Sequence, residues 1–316
     1  MALYVVTGGA GFIGSHLVER LLAEGHDVRV VDDLSTGKRE NLPAGVDLVV
    51  GDVAEAALVR AAMRGAAGCF HLAAIASVAR ANEDWMGTHR TNQSATIAVL
   101  EAARDAGRVP VVYASSAAVY GDHGPIRLHE ALPPRPLSAY GADKLGSELH
   151  ARVAAVVHGT PTAGLRFFNV FGPRQDPRSP YSGVISIFAE RVLNRRTITI
   201  NGDGMQTRDF IYVTDVVAHL TMAMARLAAQ RVVEAEVFNV CTGFSTSILG
   251  LAETLGEITG WVPSVVFAPA RAGDIRSSLG NPTAARATLR VGAPMHLAEG
   301  LDGLLGSLRP EFRVAV

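Results

Sequence analysis

The chain has 316 residues, 48% of them hydrophobic and 19% charged, with a formal net charge of −1. That length suggests about two domains, and the near-zero charge gives no electrostatic reason to expect nucleic acid or a membrane surface as a partner. No apolar run is long enough to span a bilayer, and a first strand beginning at residue 2 leaves no room for a signal peptide. Cys69 and Cys241 are too few for a disulfide framework and read as buried, reduced thiols, which together imply a cytoplasmic protein. The 10 histidines show no ligand spacing such as H-E-x-x-H, so no metal site is expected.

Ala2-Leu-Tyr-Val-Val-Thr7 reads as a buried parallel strand, followed at once by Gly8-Gly-Ala-Gly-Phe-Ile-Gly14. Helical periodicity then runs from Phe12 to Ala23, with Ile13, Leu17, Val18, Leu21 and Leu22 on one face. Glycines at 8, 11 and 14 in a strand–turn–helix context allow a tight turn, close approach to a pyrophosphate and close helix–strand packing. A second strand, Val28 to Val31, ends in Asp32 and Asp33, placed to accept hydrogen bonds from an adenosine ribose. A carboxylate there repels a 2′-phosphate, which favours NAD; Lys38 and Arg39 nearby soften that preference and leave NADP open.

Strands at Asp47–Val50, Gly68–Leu72, Val109–Tyr113 and Thr162–Phe167 alternate with helices expected over 88–106 and 139–158. This alternation predicts an α/β fold, a doubly wound parallel (Rossmann-type) sheet with ligands beyond the carboxyl ends of its strands. After about residue 170 proline, glycine and polar loops separate shorter elements. Residues 1–170 are therefore read as a dinucleotide-binding domain, and 171–316 as mainly a smaller substrate region interleaved with it.

Tyr140 and Lys144 lie one helical turn apart on one face. A free phenol titrates near pH ~10, and a cation one turn away should lower that by roughly 1 to 3 units. The result would be a base for a sugar or alcohol hydroxyl. Asp143, beside Lys144, points roughly 100° away around the helix and is expected to face solvent or a neighbouring loop.

Thr7-Gly-Gly-Ala-Gly-Phe-Ile-Gly14, Ser115-Ser-Ala-Ala-Val-Tyr-Gly121, Tyr140-x-x-x-Lys144 and Leu165-Arg-Phe-Phe-Asn-Val-Phe-Gly-Pro-Arg174 together resemble the extended short-chain dehydrogenase/reductase family. Within it the chain looks like the UDP-glucose (UDP-galactose) 4-epimerase group, a likeness supported by Gly202-Asp-Gly-Met-Gln-Thr-Arg-Asp-Phe210 and Arg271-Ala-Gly-Asp-Ile-Arg-Ser277. The resemblance implies catalytic roles for Ser116, Tyr140 and Lys144, with NAD kept bound while C4 of a UDP-hexose is oxidised and reduced again. It places the cofactor against Gly8, Gly11, Phe12, Ile13, Gly14, the segment Asp32, Asp33, Leu34, Ser35, Thr36, Gly37, and Asp52 and Val53. Leu72, Ala73, Ala74, Asn92, Tyr140, Lys144 and Phe168 complete that set. The nucleotide sugar falls to Ser77, Ser116, Ala117, Tyr140, Asn169, Gly183, Val184, Arg208, Arg271 and Asp274. An ion pair with Asp203 or Asp209 is the structural alternative for Arg208.

Related 4,6-dehydratases carry Thr-Asp-Glu where this chain has Ser116, Ala117 and Ala118, and related decarboxylases a Glu at Ala118. Alanines cannot transfer protons, so the resemblance favours the epimerase over both. A reductase with net redox turnover and a non-catalytic dinucleotide sensor are the remaining alternatives. UDP-glucuronate and UDP-N-acetylglucosamine stay open beside UDP-glucose, with Arg178 or Arg191 as partners for a C6 carboxylate. The resemblance also implies a homodimer through helices around 88–106 and 139–158.

Overall fold

The computed structural model describes residues 1–176, 183–230, 232–270 and 275–309. Strand β1 (Leu3–Thr7) leads into helix α1 (Phe12–Ala23), followed by β2 (Asp27–Asp32), β3 (Asp47–Val50), α2 (Ala56–Met63) and β4 (Gly68–His71). Next come α3 (Val78–Glu83), α4 (Trp85–His89), a π-helical turn over Arg90–Ser94 and α5 (Ala95–Asp105). The expected helix over 88–106 is thus preceded by another turn and carries a π segment. β5 (Val111–Ser116) starts two residues later than expected because Pro110 lacks an N–H, and β6 (Arg127–Leu128) follows. α6 (Ala139–His158) has the predicted bounds: Ser138 Oγ caps its start at Gly141 N, and Gly159 ends it with φ +69°.

β7 (Thr162–Phe167), β8 (Asn169–Phe171), α7 (Val184–Leu193), β9 (Ile198–Asn201), β10 (Thr207–Arg208), β11 (Phe210–Tyr212) and α8 (Val213–Ala229) continue the chain. It closes with β12 (Ala235–Val240), β13 (Thr246–Ser247), α9 (Ile248–Thr259), β14 (Val265–Ala268), β15 (Ser277–Gly280), α10 (Thr283–Leu289) and α11 (Leu297–Leu308).

Seven parallel strands form the main sheet in the order β12-β7-β5-β4-β1-β2-β3. Both faces are covered, so its strands read as apolar runs with little alternation. Leu17, Val18 and Leu21 of α1 pack with Val216, Leu220 and Met224 of α8 against Val6, Val30 and Phe70 on one face. Val59 and Met63 of α2, Val99 and Ala103 of α5, and Ala151 and Ala154 of α6 cover the other. The order reverses at β1, which lies between β2 and β4; the crevice above those strand ends is the natural ligand site of such a sheet. The architecture is the doubly wound α/β class expected from the alternation.

Beyond residue 170 a third core gathers Phe188, Ile198, Leu251, Leu301 and Leu304. Three small sheets complete the fold, β13-β10-β15-β6, β11-β8 and β14-β9, with β6 contributed by the earlier part of the chain and β8 spanning residue 170. Among the described residues no helix is long and apolar enough to cross a membrane.

Candidate active site

The turn between β1 and α1 has no room for a side chain at Gly8 or Gly14. A Cβ on Gly14 would stand 2.2 Å from the Gly8 carbonyl oxygen and 2.7 Å from Gly9 Cα, and one on Gly8 would meet Ala73 N at 2.7 Å. Gly8 also has φ +69°, a conformation glycine adopts without strain. Gly11 begins α1 with no side-chain cap, so the first-turn N–H groups of Phe12, Ile13 and their neighbours remain available to an anion. Leu72, Ala73 and Ala74 stand against this turn; Leu72 N donates to Thr7 O at 3.1 Å. The cradle fits a pyrophosphate and has the backbone exposure to hold one.

At the end of β2, Asp32 is buried and accepts from Ala10 N and Leu34 N, each at 2.9 Å. Burial raises its carboxyl above the usual range. Leu34 takes φ 58°, and a Cβ on Gly37 would press on Asp32 Oδ1 at 2.7 Å. Asp33 Oδ1 accepts from Ser35 N and Oγ, so the loop Asp33–Gly37 with Thr36 wraps the Asp32 carboxylate. Asp52 Oδ1 receives Ala54 N and its Oδ2 lies 2.9 Å from Arg90, with Val53 buried alongside. Asn92, on the π turn, spends both amide ends on Ile75: Oδ1 accepts Ile75 N at 2.8 Å and Nδ2 donates to Ile75 O at 3.2 Å. It therefore fixes the segment after β4.

β5 and α6 bring Ser116, Tyr140 and Lys144 together. Ser116 Oγ accepts Ala118 N at 3.1 Å and hydrogen-bonds the Tyr140 phenol. Lys144 is 4% exposed, donates to Ala114 O at 2.9 Å and lies 5.9 Å from the centroid of the Tyr140 ring. Burial lowers Lys144 to about 8, opposed by the charge of Asp143. Burial also raises the Tyr140 phenol, and the bond from Ser116 only partly offsets this. The expected depression of the tyrosine by its lysine is therefore absent here, because desolvation of the phenolate outweighs it. Ala117 and Ala118 lie in a single 3-10 turn beside this set and bring no proton-transfer group.

Asp143 overturns its expected exposure. It is 5% exposed, and His89 Nδ1 stands 2.7 Å from its Oδ1. α4 packs on α6, so the direction away from Lys144 leads into a helix and not to water.

On the sugar side, Ser77 caps α3 by accepting Arg80 N at 3.1 Å. Phe168 is buried, and Asn169 N donates to Asp209 O at 3.0 Å. Gly183 begins α7 without a side-chain cap, leaving the N–H of Val184 and its neighbours uncapped. Arg208 Nη1 donates to Thr207 O at 2.8 Å and Ile275 O at 2.7 Å. Of its two suggested acidic partners, Asp203 pairs bidentately with Arg276, and Asp209 accepts from Thr242 N and Oγ1, Gly243 N and Gly280 N. Arg271, Asp274 and Arg178 lie outside the described residues.

Several polar side chains behind the site escaped the sequence. Glu148, one turn beyond Lys144, holds Arg166 of β7 through bonds of 2.8 and 2.7 Å and accepts Ser115 Oγ at 2.5 Å. The Arg166 guanidinium also lies 4.7 Å from the Tyr120 ring centroid. His71 bridges Thr7 Oγ1 at 2.8 Å and Thr96 Oγ1 at 3.1 Å, and burial lowers it to about 3, so it stays neutral. The only available signal was the spacing of Tyr140, Lys144 and Glu148, which repeats every four residues along one helix face.

A model of the NAD dependent epimerase/dehydratase family matches residues 4–241. A UDP-glucose 4-epimerase of Mycolicibacterium smegmatis is 38% identical over 304 residues, covering 94% of this chain and 95% of that one. Among solved structures, a UDP-glucose 4-epimerase of Thermotoga maritima with UDP-glucose aligns with TM-score 0.91 at 35% identity, covering 96% of this chain and 98% of that one. A Thermus thermophilus UDP-glucose 4-epimerase in complex with NAD aligns with TM-score 0.88 at 37% identity, covering 99% and 100%. Similarity of this grade along nearly the whole length, on a matching fold and cradle, means that the chain belongs to the NAD dependent epimerase/dehydratase family.

Proposed function

We infer that the chain is an NAD-dependent nucleotide-sugar 4-epimerase, inverting C4 of a UDP-hexose of the glucose/galactose type through a transient 4-keto sugar. One observation carries this reading: Ser116, Tyr140 and Lys144 converge beside a dinucleotide cradle while Ala117 and Ala118 supply no acid or base. Elimination of water or loss of a carboxyl group needs further proton-transfer groups there, whereas epimerisation does not.

NAD, when bound, would supply the hydride acceptor and donor for C4, so that no net oxidation would result. The protein moves the proton. Tyr140 takes it from the 4-hydroxyl, and Ser116, already bonded to the phenol, passes it between the two oxygens. The Lys144 ammonium keeps one N–H on Ala114 O, and its remaining donors would serve the nicotinamide ribose and the Tyr140 oxygen. Asp32 takes the adenosine ribose, and Asp52 with Val53 and the 72–74 segment lines the rest of the cofactor. Arg208 and Arg271 hold the sugar diphosphate, since the guanidinium fork matches paired phosphate oxygens, and Asp274 falls to the sugar. Asn169 and the α7 start at Gly183 and Val184 add donors, and Ser77 and Ala117 border the sugar.

On this assignment residues 1–170 carry the cofactor and the Ser/Tyr/Lys set, and 171–316 mainly the nucleotide sugar. α6 exposes Leu149, Val153, Val156 and Val157 along one stripe, which suits pairing with a second copy as a homodimer. Both thiols are buried and unpaired, as a reducing cytoplasm requires.

The test is proton NMR of the purified protein with UDP-glucose, UDP-N-acetylglucosamine and UDP-glucuronate in separate tubes with catalytic NAD. A second anomeric signal from the 4-epimer establishes the reaction and names the sugar. Stoichiometric NADH or a 4-keto-6-deoxy product, without epimer, refutes it.

A further inference from the structure

Asp143 is a buried carboxylate that the mechanism above does not use. It is 5% exposed, Oδ1 is bound to His89 Nδ1 at 2.7 Å, and Oδ2 has no partner among the described residues. Burying a carboxylate with one oxygen unsatisfied is costly, so a compensating interaction is required. A structural clamp between α4 and α6 alone would be served as well by a neutral hydrogen-bonding residue.

Beside it in sequence is the one buried lysine. Lys144 is 4% exposed and its ammonium has a single neutral acceptor among the described residues, the Ala114 carbonyl. The other groups around the lysine offer no negative charge. His71 on β4 is neutral, Tyr140 on α6 is a protonated phenol, and Glu148 on α6 is committed to Arg166 of β7. Around Asp143, His89 comes from α4; Arg90 on the π turn is drawn to Asp52 and Glu55, and Arg80 on α3 to Asp84. Gln93 on the π turn meets α6 at Gly146 and brings no charge.

We propose that Asp143, held in place by His89, is the resident counter-charge of Lys144, a positioning residue that keeps the ammonium ionised in a site that excludes water. The functional consequence rests on the epimerase reading; the electrostatic one does not. The two side chains leave α6 about 100° apart, so they interact through the field of the low-dielectric interior without a direct bond. The direction agrees with the opposition between burial, which lowers Lys144, and the Asp143 charge, which raises it.

The chain has two lysines, Lys38 and Lys144, which makes a direct test possible. Protein labelled with carbon-13 at lysine Cε gives two resonances, and Lys38→Arg assigns them. In the ligand-free protein the Lys144 signal should titrate near 8. Asp143→Asn should lower that midpoint by roughly 1 unit, whereas His89→Gln, which keeps a donor to the carboxylate, should leave it in place. Asp143→Ser serves if the asparagine variant does not fold. An unmoved Lys144 midpoint in a folded Asp143 variant overturns the proposal and leaves Asp143 as a helix clamp. In the active enzyme the alkaline limb of kcat should move down with the NMR midpoint, and a uniform loss at every pH counts against it. If the wild-type chain epimerises nothing, the functional reading falls, and the lysine titration still decides this one.

Discussion

Replacing Glu148 by Ala tests whether the buried ion pair behind the catalytic helix holds the site in register. Arg166 and Glu148 are 5% and 7% exposed, so solvent cannot take over the charge that remains. The substitution strips two short charge-assisted bonds from Arg166 and the acceptor from Ser115 Oγ. Leaving one member of a buried pair uncompensated costs about 3–5 kcal/mol, and the orphaned Ser115 hydroxyl adds about 1 kcal/mol or more. Against a total of roughly 5–15 kcal/mol for a folded chain, that is a large share. Urea unfolding followed by circular dichroism should therefore show a midpoint far below wild type. Glu148→Leu combined with Arg166→Met removes both charges and should recover most of the loss, since replacing both partners with apolar groups is often neutral. A Glu148→Ala variant within about 1 kcal/mol of wild type would place the guanidinium in contact with water and refute the reasoning.

Tyr140→Phe should cut epimerisation by roughly 10²- to 10⁴-fold, the usual worth of a positioned acid–base group, with NAD content of the purified protein unchanged. Gly14→Ala forces a methyl to 2.2 Å from the Gly8 carbonyl oxygen. Backbone must move at the phosphate turn, so the variant should lose bound NAD, with affinity down roughly 10-fold or more, ~1.4 kcal/mol per tenfold. In the ligand-free protein, an ultraviolet difference titration of wild type against Tyr140→Phe should show this phenol ionising above the usual tyrosine range, because burial raises it; a phenolate present at neutral pH would contradict the structure.

The parallel sheet was legible because most of its strands are short apolar runs ended by glycine or a polar residue, and because α1 shows a 3.6-residue period and α6 is bounded by Ser138 and Gly159. The β1–α1 turn was legible for a different reason: glycine is the residue that fits where a Cβ would strike backbone. What stayed hidden depends on contacts between distant segments. Helix geometry alone points Asp143 to solvent or a neighbouring loop, but α4 lies in that direction, and only the tertiary structure brings His89 to it. Arg166, 18 residues after Glu148, gave no local sign of its partner. The same holds for Asp209, whose carboxylate gathers donors from Thr242, Gly243 and Gly280 far along the chain.

Tyr140 and Lys144 show why a motif names a base without stating its charge. Both are pushed toward neutrality by one cause, loss of water: the phenol is raised above its ordinary value and the ammonium lowered to about 8. An ionised phenolate–ammonium pair is therefore not the resting state of the ligand-free site at neutral pH, where the phenol keeps its proton and most of the ammonium its charge. On the mechanism proposed above, the charge that makes Tyr140 a base has to be stabilised at the moment of proton transfer, by Ser116 donating to the oxygen and by Lys144 remaining cationic beside it. A permanently formed phenolate would need that stabilisation at all times, and would carry the desolvation cost in every idle molecule. This is why the ionisation of Lys144 is the sensitive variable. With a pKa lowered to about 8, half of the ammonium is gone at about that pH, and with it the positive charge that Lys144 offers the phenolate. A buried carboxylate that keeps the lysine charged, as proposed for Asp143, would extend the pH range over which that stabilisation is available.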